Sequence, residues 1–275
     1  MTERRRWIVF ALVAALGALA EGVVPSPLGA QNLDSLLLRI MRARGGSGRV
    51  HTVRSQRLTG RIALGPTTTG TIVVEQHRPN MIREEITVRG QTLVRAFDGA
   101  MGWMQVPSGD TLLVQALTDE DLRNIAAEAD FDGALIEPRV KGNRVELVGR
   151  DTIDGAPVYV LRVTLRSGFV DTWYVDSASS LPTRWTGQRV ANGSTVHFQS
   201  DFRDYLTVDG LRFARVIETG QRDASDRQQL IFDHVDINPV LESSRFEMPA
   251  DTTARDTTAQ PASDSVVHSD SAAHR

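Results

Sequence analysis

Residues 157–174 carry the sequence PVYVLRVTLRSGFVDTWY, and this stretch decides the fold class. Two runs rich in β-branched and aromatic residues flank the turn residues Ser167 and Gly168, which is typical of a β-hairpin. Each run places apolar side chains on both faces: Tyr159, Leu161, Val163, Leu165, Phe169 and Trp173 on one, and Val158, Val160, Val170 and Tyr174 on the other. A strand with one face in water would alternate apolar with polar residues. The stretch therefore predicts a sheet covered on both faces, by a core on one side and by helices or an apolar ligand on the other.

Turn residues recur at short intervals along the chain and predict further hairpins. The dipeptides are Gly65-Pro66, Asp98-Gly99, Gly142-Asn143, Asp154-Gly155, Asn192-Gly193 and Asp209-Gly210. Asn192-Gly193 is the strongest of them, because a type I′ turn requires positive φ at both central residues. The sequence therefore predicts a mainly β protein built on a curved antiparallel sheet.

Two segments show helical periodicity instead. The first can be capped by Asn32 or Asp34, ends before Gly45-Gly46, and has an apolar stripe formed by Leu33, Leu36, Leu37, Ile40 and Met41. The second spans Asp119 to Asp130 with Thr118 as N-cap, and its narrow, Ala-rich stripe comprises Leu122, Ile125, Ala126 and Ala129. We expect both helices to lie in the concave side of the sheet.

The N-terminal residues have the layout of an export signal. Three arginines at positions 4–6 precede an almost wholly apolar run over residues 7–19, and Ala18-Leu19-Ala20 fits the small-residue pattern before a cleavage site. A second possible cleavage point follows Ala30. The apolar run is shorter than the ~20 residues of a membrane-spanning helix, which argues against an uncleaved anchor. We therefore expect residues 1–20 to be a signal peptide and the mature protein to be soluble in the periplasm.

Composition sets further bounds on the class of protein. The chain of 275 residues contains no cysteine, which excludes disulfides and thiol chemistry. Its net charge of -3 favours neither nucleic acid nor an anionic surface as a partner. Residues 31–249 suffice for one sizeable β domain. Residues 250–275 are rich in Ser, Thr, Asp and Ala and are predicted to be a disordered tail. We expect a monomer.

No catalytic constellation stands out in the sequence. It lacks a nucleophile elbow, a phosphate-binding loop, a dinucleotide-binding glycine fingerprint and an HExxH-type motif. Four histidines are isolated from one another: His51, His77, His197 and His234. Two pairs of carboxylates are close in sequence: Glu84 with Glu85, and Asp201 with Asp204. On a regular strand, the two members of each pair would point to opposite faces of the sheet. We expect no enzymatic activity, no metal site and no cofactor, and keep an enzyme as the minority hypothesis because distant residues can meet in space.

Several segments together resemble the sequence pattern of a known family. Residues 97–103 (FDGAMGW) resemble an F-D-G-x-x-G-W segment, and residues 174–185 resemble a strand-turn-strand with Y-V-D followed by L-P-x-R. Residues 204–213 are similar to a D-Y hairpin with V-D-G-L-x-F, and residues 238–249 end in N-P-V-L and F-E-M-P. In this order, over residues 33–249, they resemble the outer-membrane lipoprotein-sorting proteins related to the carrier LolA and the receptor LolB.

The resemblance implies an incomplete antiparallel β-barrel with helices in its open concave side, and an apolar cavity for the acyl chains of lipoproteins or lipids. Each CH₂ moved from water into such a cavity contributes about 0.8 kcal/mol, so an acyl chain can bind without polar contacts. Trp103 follows a glycine-rich turn and is expected at the rim. The candidate wall residues are Leu37, Ile40, Met41, Phe97, Met101, Trp103, Trp173 and Phe198.

The leading hypothesis is a periplasmic carrier or chaperone that moves lipidated protein or lipid towards the outer membrane, served by a partner in the inner or outer membrane. The alternative is a non-enzymatic envelope sensor or scaffold, which would use this same fold to bind a protein partner. A sensor of that type usually adds a second folded domain, whereas a polar tail follows here. An outer-membrane β-barrel does not fit, because aromatic residues make up only 6% of the chain and its C-terminal end is polar.

Overall fold

The computed structural model describes residues 27–108, 111–191, 193–224 and 227–249. The predicted signal peptide, the predicted C-terminal tail and Asn192 of the predicted Asn-Gly turn lie outside these residues.

One antiparallel sheet forms the body of the described chain. Its strands are β1 (Ser55–Leu64), β2 (Thr68–His77), β3 (Met81–Val88), β4 (Gln91–Phe97), β5 (Gly102–Ser108), β6 (Thr111–Ala116), β7 (Arg144–Ile153), β8 (Ala156–Thr164), β9 (Val170–Asp176), β10 (Pro182–Ala191), β11 (Ser194–Val208), β12 (Leu211–Gln221) and β13 (Gln228–Ile237). The spatial order is β6-β5-β4-β3-β2-β1-β13-β12-β11-β10-β9-β8-β7, and all neighbours are antiparallel. Among the described strands, β6 and β7 pair on one side only, so the sheet is open. The predicted incomplete antiparallel barrel is confirmed.

Three helices are described, and the first and third agree with the two helical segments that the sequence predicts. They are α1 (Pro27–Arg44), α2 (Ser47–Val50) and α3 (Asp119–Glu128), with a 3₁₀ turn over Ser243–Arg245. The short α2 is not predicted. α1 begins earlier than its predicted caps and ends at Arg44, directly before the predicted Gly45-Gly46. A Cβ at Gly45 would lie 2.7 Å from the carbonyl oxygen of Gly210, so only glycine allows this close approach. The predicted N-cap of α3 is confirmed, since the Asp121 N–H donates to Thr118 Oγ1 at 3.2 Å.

Most of the predicted turns join neighbouring strands. Asp154-Gly155 connects β7 to β8 and Asp209-Gly210 connects β11 to β12, with positive φ at all four residues, as a type I′ turn requires. Arg89-Gly90 has the same geometry between β3 and β4, with φ of 52° and 77°. The turn dipeptides do not predict it, because arginine rarely adopts positive φ. Gly142-Asn143 instead ends the loop between α3 and β7 and joins no hairpin.

The helices cover one face of the sheet, which we call the inner face. Leu36 and Ile40 of α1 pack into a core with strands β8, β9, β12 and β13. Ile125 of α3 and Ala129, which follows the helix, are fully buried in a second core over β1 to β4 and β13. Both helices therefore pack in the concave side, as the sequence predicts.

Residues 238–249 cover part of the opposite face, which we call the outer face. Phe246 is fully buried, and its carbonyl accepts a hydrogen bond from Trp103 Nε1 at 2.7 Å. Arg245 donates to both oxygens of the buried Glu75 carboxylate, at 2.8 and 3.0 Å. The sheet therefore has cover on both faces.

Candidate functional site

Two adjoining cavities lie between the inner face of the sheet and its helices. The first has a volume of about 330 Å³ and the second of about 740 Å³, which is the size range of small-molecule sites. They adjoin because the same residues line both: Glu84, Asp130, Gly133, Ala134, Trp173, Phe202, Ile217 and Leu230. Together they offer an internal space longer than either cavity alone.

The first cavity lies beside the C-terminal end of α1. Its wall is built from α1, from residues 130–136 after α3, and from strands on both sides of β13. Most of the wall is apolar, with contributions from Ile40, Leu58, Val74, Phe131, Leu135, Ile136, Leu181, Phe213 and Phe232. Such a wall suits a hydrocarbon group better than a polar one.

The second cavity lies beneath α3. The helix contributes Asp121, Asn124, Ala127 and Glu128 to its wall, while Ile125 on the adjacent side of the helix packs in the core. α3 therefore turns one side to the core and another to the cavity. The sheet contributes mainly large apolar side chains: Ile72, Ile82, Ile86, Trp185 and Phe198.

Trp173 stands where the two cavities meet. Its ring stacks on that of Phe202, with 5.9 Å between the ring centroids and an angle of 3° between the planes. The indole Nε1 is buried and has no hydrogen-bond acceptor, whereas buried tryptophan N–H groups usually have one. A chain that extends from one cavity into the other would pass this pair of rings.

The carboxylates around the first cavity are paired within the protein. Their basic partners come from outside its wall: Arg95 for Glu84, Lys141 for Asp130 at 2.5 Å, and Arg78 for Asp132 at 2.6 Å. Buried charges are tolerated when they are paired in this way. The acids therefore do not make this cavity a cation site.

Arg95 ties α3 to the sheet at the wall of the second cavity. It lies opposite Glu84 in the pairing of β3 with β4 and donates to both Glu84 and Glu128, the last residue of α3. Burial raises the pKa of Glu128 above its ordinary value; the charge of Arg95 opposes this shift and that of Glu84 adds to it. Burial alone would lower the pKa of Arg95, but the two carboxylates reverse this and raise it.

Arg189 and Asp171 form a second ion pair in the same wall. Arg189 donates two hydrogen bonds to the buried Asp171 carboxylate, at 2.8 and 3.2 Å. Its guanidinium also lies 4.4 Å from the ring centroid of Phe169 and 4.8 Å from that of Trp185. The charge is therefore paired with Asp171 and lies within cation–π distance of two aromatic rings.

A polar row at the surface has the residue types of a catalytic triad. Ser47 Oγ lies 3.2 Å from His51 Nδ1, and His51 Nε2 lies 3.0 Å from Glu137 Oε2. All three side chains are exposed and lie outside both cavities. The row therefore lies apart from both cavities.

The described residues contain no group of three or more His, Asp or Glu side chains that could hold a metal ion. In the same part of the chain, no helix combines the length and the apolar character needed to cross a bilayer.

Neither a protein-family model nor a curated protein matches the sequence. Solved structures match the fold: a domain from Vibrio parahaemolyticus named for outer membrane lipoprotein sorting (14% identity, TM-score 0.53), a DUF1329 family protein from Desulfovibrio piger (12%, 0.53) and a LolA superfamily protein from Nitrosomonas europaea (16%, 0.50). Each match covers 78% of this chain and 97% of the other. The chain has the LolA-like fold. The resemblance that the sequence motifs indicate is thus confirmed for the fold.

Six of the eight predicted wall residues lie on the inner face of the sheet or on the helix α1 that covers it. Three of them line the cavities: Ile40 the first, Phe198 the second and Trp173 both. Leu37 and Met41 pack beside the core of α1, and Phe97 is buried in the core under α3. These last three pack in or against the cores and line neither cavity.

Trp103 and Met101 are placed elsewhere by the LolA-like fold. Trp103 lies opposite Ala96 in the pairing of β5 with β4, and both belong to a small cluster on the outer face. Its neighbour in sequence, Met104, is opposite Arg95, whose side chain reaches the second cavity. Met101 is 59% exposed in the turn before β5. The expectation that Trp103 stands at the cavity rim is wrong, because alternation along β5 points it outwards.

Many wall residues are absent from the sequence-based candidates, and three parts of the wall show why. Phe202 stands among Asp and Arg residues, a pattern typical of a solvated strand. Residues 130–136 form no regular element, yet their apolar side chains face the first cavity. Arg44 ends α1, where arginine is common because it complements the helix dipole. Only the apolar run Ala134-Leu135-Ile136 could have indicated part of this wall.

Proposed function

We propose that this protein is a periplasmic, non-enzymatic carrier or chaperone that binds acyl chains of lipoproteins or lipids for transfer towards the outer membrane. The observation that carries the proposal is the pair of adjoining, largely apolar cavities between the sheet and its helices. Five wall carboxylates are paired with basic residues of the protein: Glu84, Glu128, Asp130, Asp132 and Asp171. The sixth, Asp121, accepts a hydrogen bond from Thr118. The remaining wall is largely apolar and favours hydrocarbon.

The affinity for such a ligand comes from burial of its methylene groups. Each contributes about 0.8 kcal/mol on leaving water, so a chain that extends through both cavities gains more than one held in a single cavity. Similar structures include proteins named for lipoprotein sorting, which supports the proposal, although identities of 12 to 16% carry only the fold.

Release and loading require an opening, and α3 offers one. Its ties to the sheet at the second cavity include the Arg95 contacts with Glu128 and a hydrogen bond from the Gly193 N–H to Glu120 at 3.3 Å. Its stripe is short, with Ile125 and Ala129 fully buried and Leu122 and Ala126 partly buried. A helix held by few large side chains can move away at a modest cost in buried surface.

Native mass spectrometry of the protein purified from its own cell envelope tests the proposal. We expect co-purifying acylated species on the wild-type protein. Ala127→Phe places a ring in the second cavity and should reduce the bound fraction, whereas Arg123→Phe adds the same ring at an exposed position of α3 and should not. Urea unfolding of both variants confirms that they are folded.

A clean apo mass for the wild-type protein would contradict the carrier proposal. If the same preparation then retains a stoichiometric protein partner, the sensor or scaffold hypothesis takes its place.

A further inference from the structure

Arg44 is the basic residue in the wall of the first cavity. It is the last residue of α1, and its guanidinium lies 4.7 Å from the ring centroid of Phe213, against the apolar wall. Its Nη1 donates a hydrogen bond to the carbonyl oxygen of Arg212 at 2.6 Å. Burial lowers the pKa of Arg44 below its ordinary value, and the nearby Tyr205 and Asp132 offset this only in part. A guanidinium has five N–H donors, so Arg44 keeps donors in reserve.

The described residues supply no carboxylate for Arg44. Asp132 attracts Arg44 electrostatically. Its carboxylate already accepts two hydrogen bonds from Arg78, at 2.7 and 2.6 Å. The other wall acids, Glu84 and Asp130, have their own partners. Tyr205, whose hydroxyl donates to the carbonyl of Pro182 at 2.7 Å, stays neutral because burial raises its pKa. Within the described chain, the first cavity thus holds a positive charge without an anion.

The surroundings of Arg44 make this imbalance costly. The side chain is partly buried, against the ring of Phe213 and the carbonyl of Arg212. A cation held partly out of water without a counter-ion is costly, and proteins normally pair it or let it reach water. An anion held beside Arg44 would remove this cost.

We propose that the first cavity takes the anionic headgroup of an amphiphile, a carboxylate or a phosphate, against Arg44, while the hydrocarbon chain lies along the apolar wall and past Trp173 into the second cavity. This inference rests on the proposed carrier function and narrows its cargo: an anionic lipid is favoured over an uncharged acyl ester. Charge-assisted hydrogen bonds from arginine to carboxylate or phosphate are among the strongest in proteins. Charge complementarity therefore supplies the selectivity that an apolar wall lacks.

Three amphiphiles with the same ten-carbon chain test the inference: decanoate, decyl phosphate and decanol. Affinities of the wild-type protein are measured by isothermal titration calorimetry at pH 8 and below the critical micelle concentrations. We expect the two anions to bind about tenfold or more tightly than decanol, the effect of one hydrogen bond to a charged group. The ratio of decyl phosphate to decanoate then identifies the source, since a preference for phosphate indicates a phospholipid-type head and a preference for carboxylate a fatty acid.

Two variants separate the charge from the packing. Arg44→Met keeps the length of the side chain and should weaken binding of both anions about tenfold while leaving decanol unchanged; Arg44→Lys should restore part of the loss. Arg61→Met removes an arginine that pairs with Asp233 and lines neither cavity, and should change no affinity. If Arg44→Met does not fold, the comparison of the three amphiphiles on the wild-type protein decides alone.

Equal affinity of the wild-type protein for decanol and both anions would overturn the inference and leave the carrier proposal standing. Equal losses for decanol and the anions in a folded Arg44→Met would also overturn it. If none of the three amphiphiles binds, the carrier proposal fails and the inference with it.

Discussion

Trp103 and Trp173 lie on opposite faces of one sheet. Trp103 donates its indole N–H to the carbonyl of Phe246 under the C-terminal segment, while Trp173 stacks on Phe202 where the two cavities meet. A ligand in the cavities can therefore alter the surroundings of Trp173 without reaching Trp103.

Tryptophan fluorescence should separate these two positions. We expect decanol or decanoate to shift the emission of the wild-type protein and of Trp103→Phe equally, while Trp173→Phe shows a smaller shift, with the remainder arising from Trp185. Trp103→Phe should lower the free energy of unfolding in urea by about 1 kcal/mol, the contribution of one lost hydrogen bond. A ligand response that disappears in Trp103→Phe and persists in Trp173→Phe would contradict the assignment of the cavities.

Arg95 should control the mobility of α3. Arg95→Gln leaves Glu84 and Glu128 as neighbouring charges without their guanidinium. We expect a loss of about 1–2 kcal/mol in the free energy of unfolding, below the value for fully buried pairs because the Arg95 and Glu128 side chains are 34% and 41% exposed. Hydrogen–deuterium exchange should rise in residues 119–128. The control Arg144→Gln removes an exposed surface pair with Glu146 and should leave exchange in α3 as it is.

Glu128 should give the stability a pH dependence of a definite sign. Although 41% of its side chain is exposed, desolvation of the rest at the wall of the second cavity raises its pKa in the folded chain. The folded chain therefore holds this proton more tightly than the unfolded chain does. The free energy of unfolding therefore falls as the pH rises from the ordinary carboxyl value of 4.5 to the raised one. Glu128→Gln cannot ionise and should lack this part of the decline.

Urea midpoints of the wild-type protein, Glu128→Gln and the surface control Glu146→Gln, taken at half-unit intervals from about pH 4.5 to 8, measure the effect. Parallel curves for the wild-type protein and Glu128→Gln would contradict it.

Glu75 should anchor the C-terminal segment on the outer face. Its carboxylate is 1% exposed and receives hydrogen bonds from Arg57 at 2.9 Å and from Arg245 at 2.8 and 3.0 Å. Glu75→Gln would leave these guanidinium groups facing one another, at a cost of about 2–3 kcal/mol in the free energy of unfolding, since the arginines remain partly solvated. Glu85→Gln, which breaks a pair at a 36% exposed carboxylate, should change it by about 0.5 kcal/mol or less. Similar losses in the free energy of unfolding for both variants would contradict a larger stabilisation by the buried Glu75 pair.

Much of the fold could be predicted because its determinants are local. The periodicity from Leu33 to Met41 and the capping residue Thr118 specify helices within one or two turns of chain. The Asp-Gly pairs at 154–155 and 209–210 specify hairpins for the same reason. The open antiparallel sheet follows from many such hairpins in succession.

The site was harder to predict because it depends on which face each side chain takes and on residues far apart in sequence. Trp103 has the composition of a cavity residue, yet the register of β4 with β5 turns it outwards. Phe202 stands in a polar stretch and still reaches the cavity, because its neighbours Asp201 and Arg203 point to the other face. The proposed binding of an anion by Arg44 depends on the pairing of Arg78 with Asp132. No local sequence pattern reveals this pairing.

The position of residues 238–249 determines on which face of the sheet a surface or a reporter can be attached. Since Phe246 is clamped on the outer face, the chain at Pro249 leaves the fold on the side away from both cavities. A protein that ends at Pro249 and is immobilised there would present its cavities to the flowing solution. A reporter fused directly after Pro249 would begin on the face opposite the cavities.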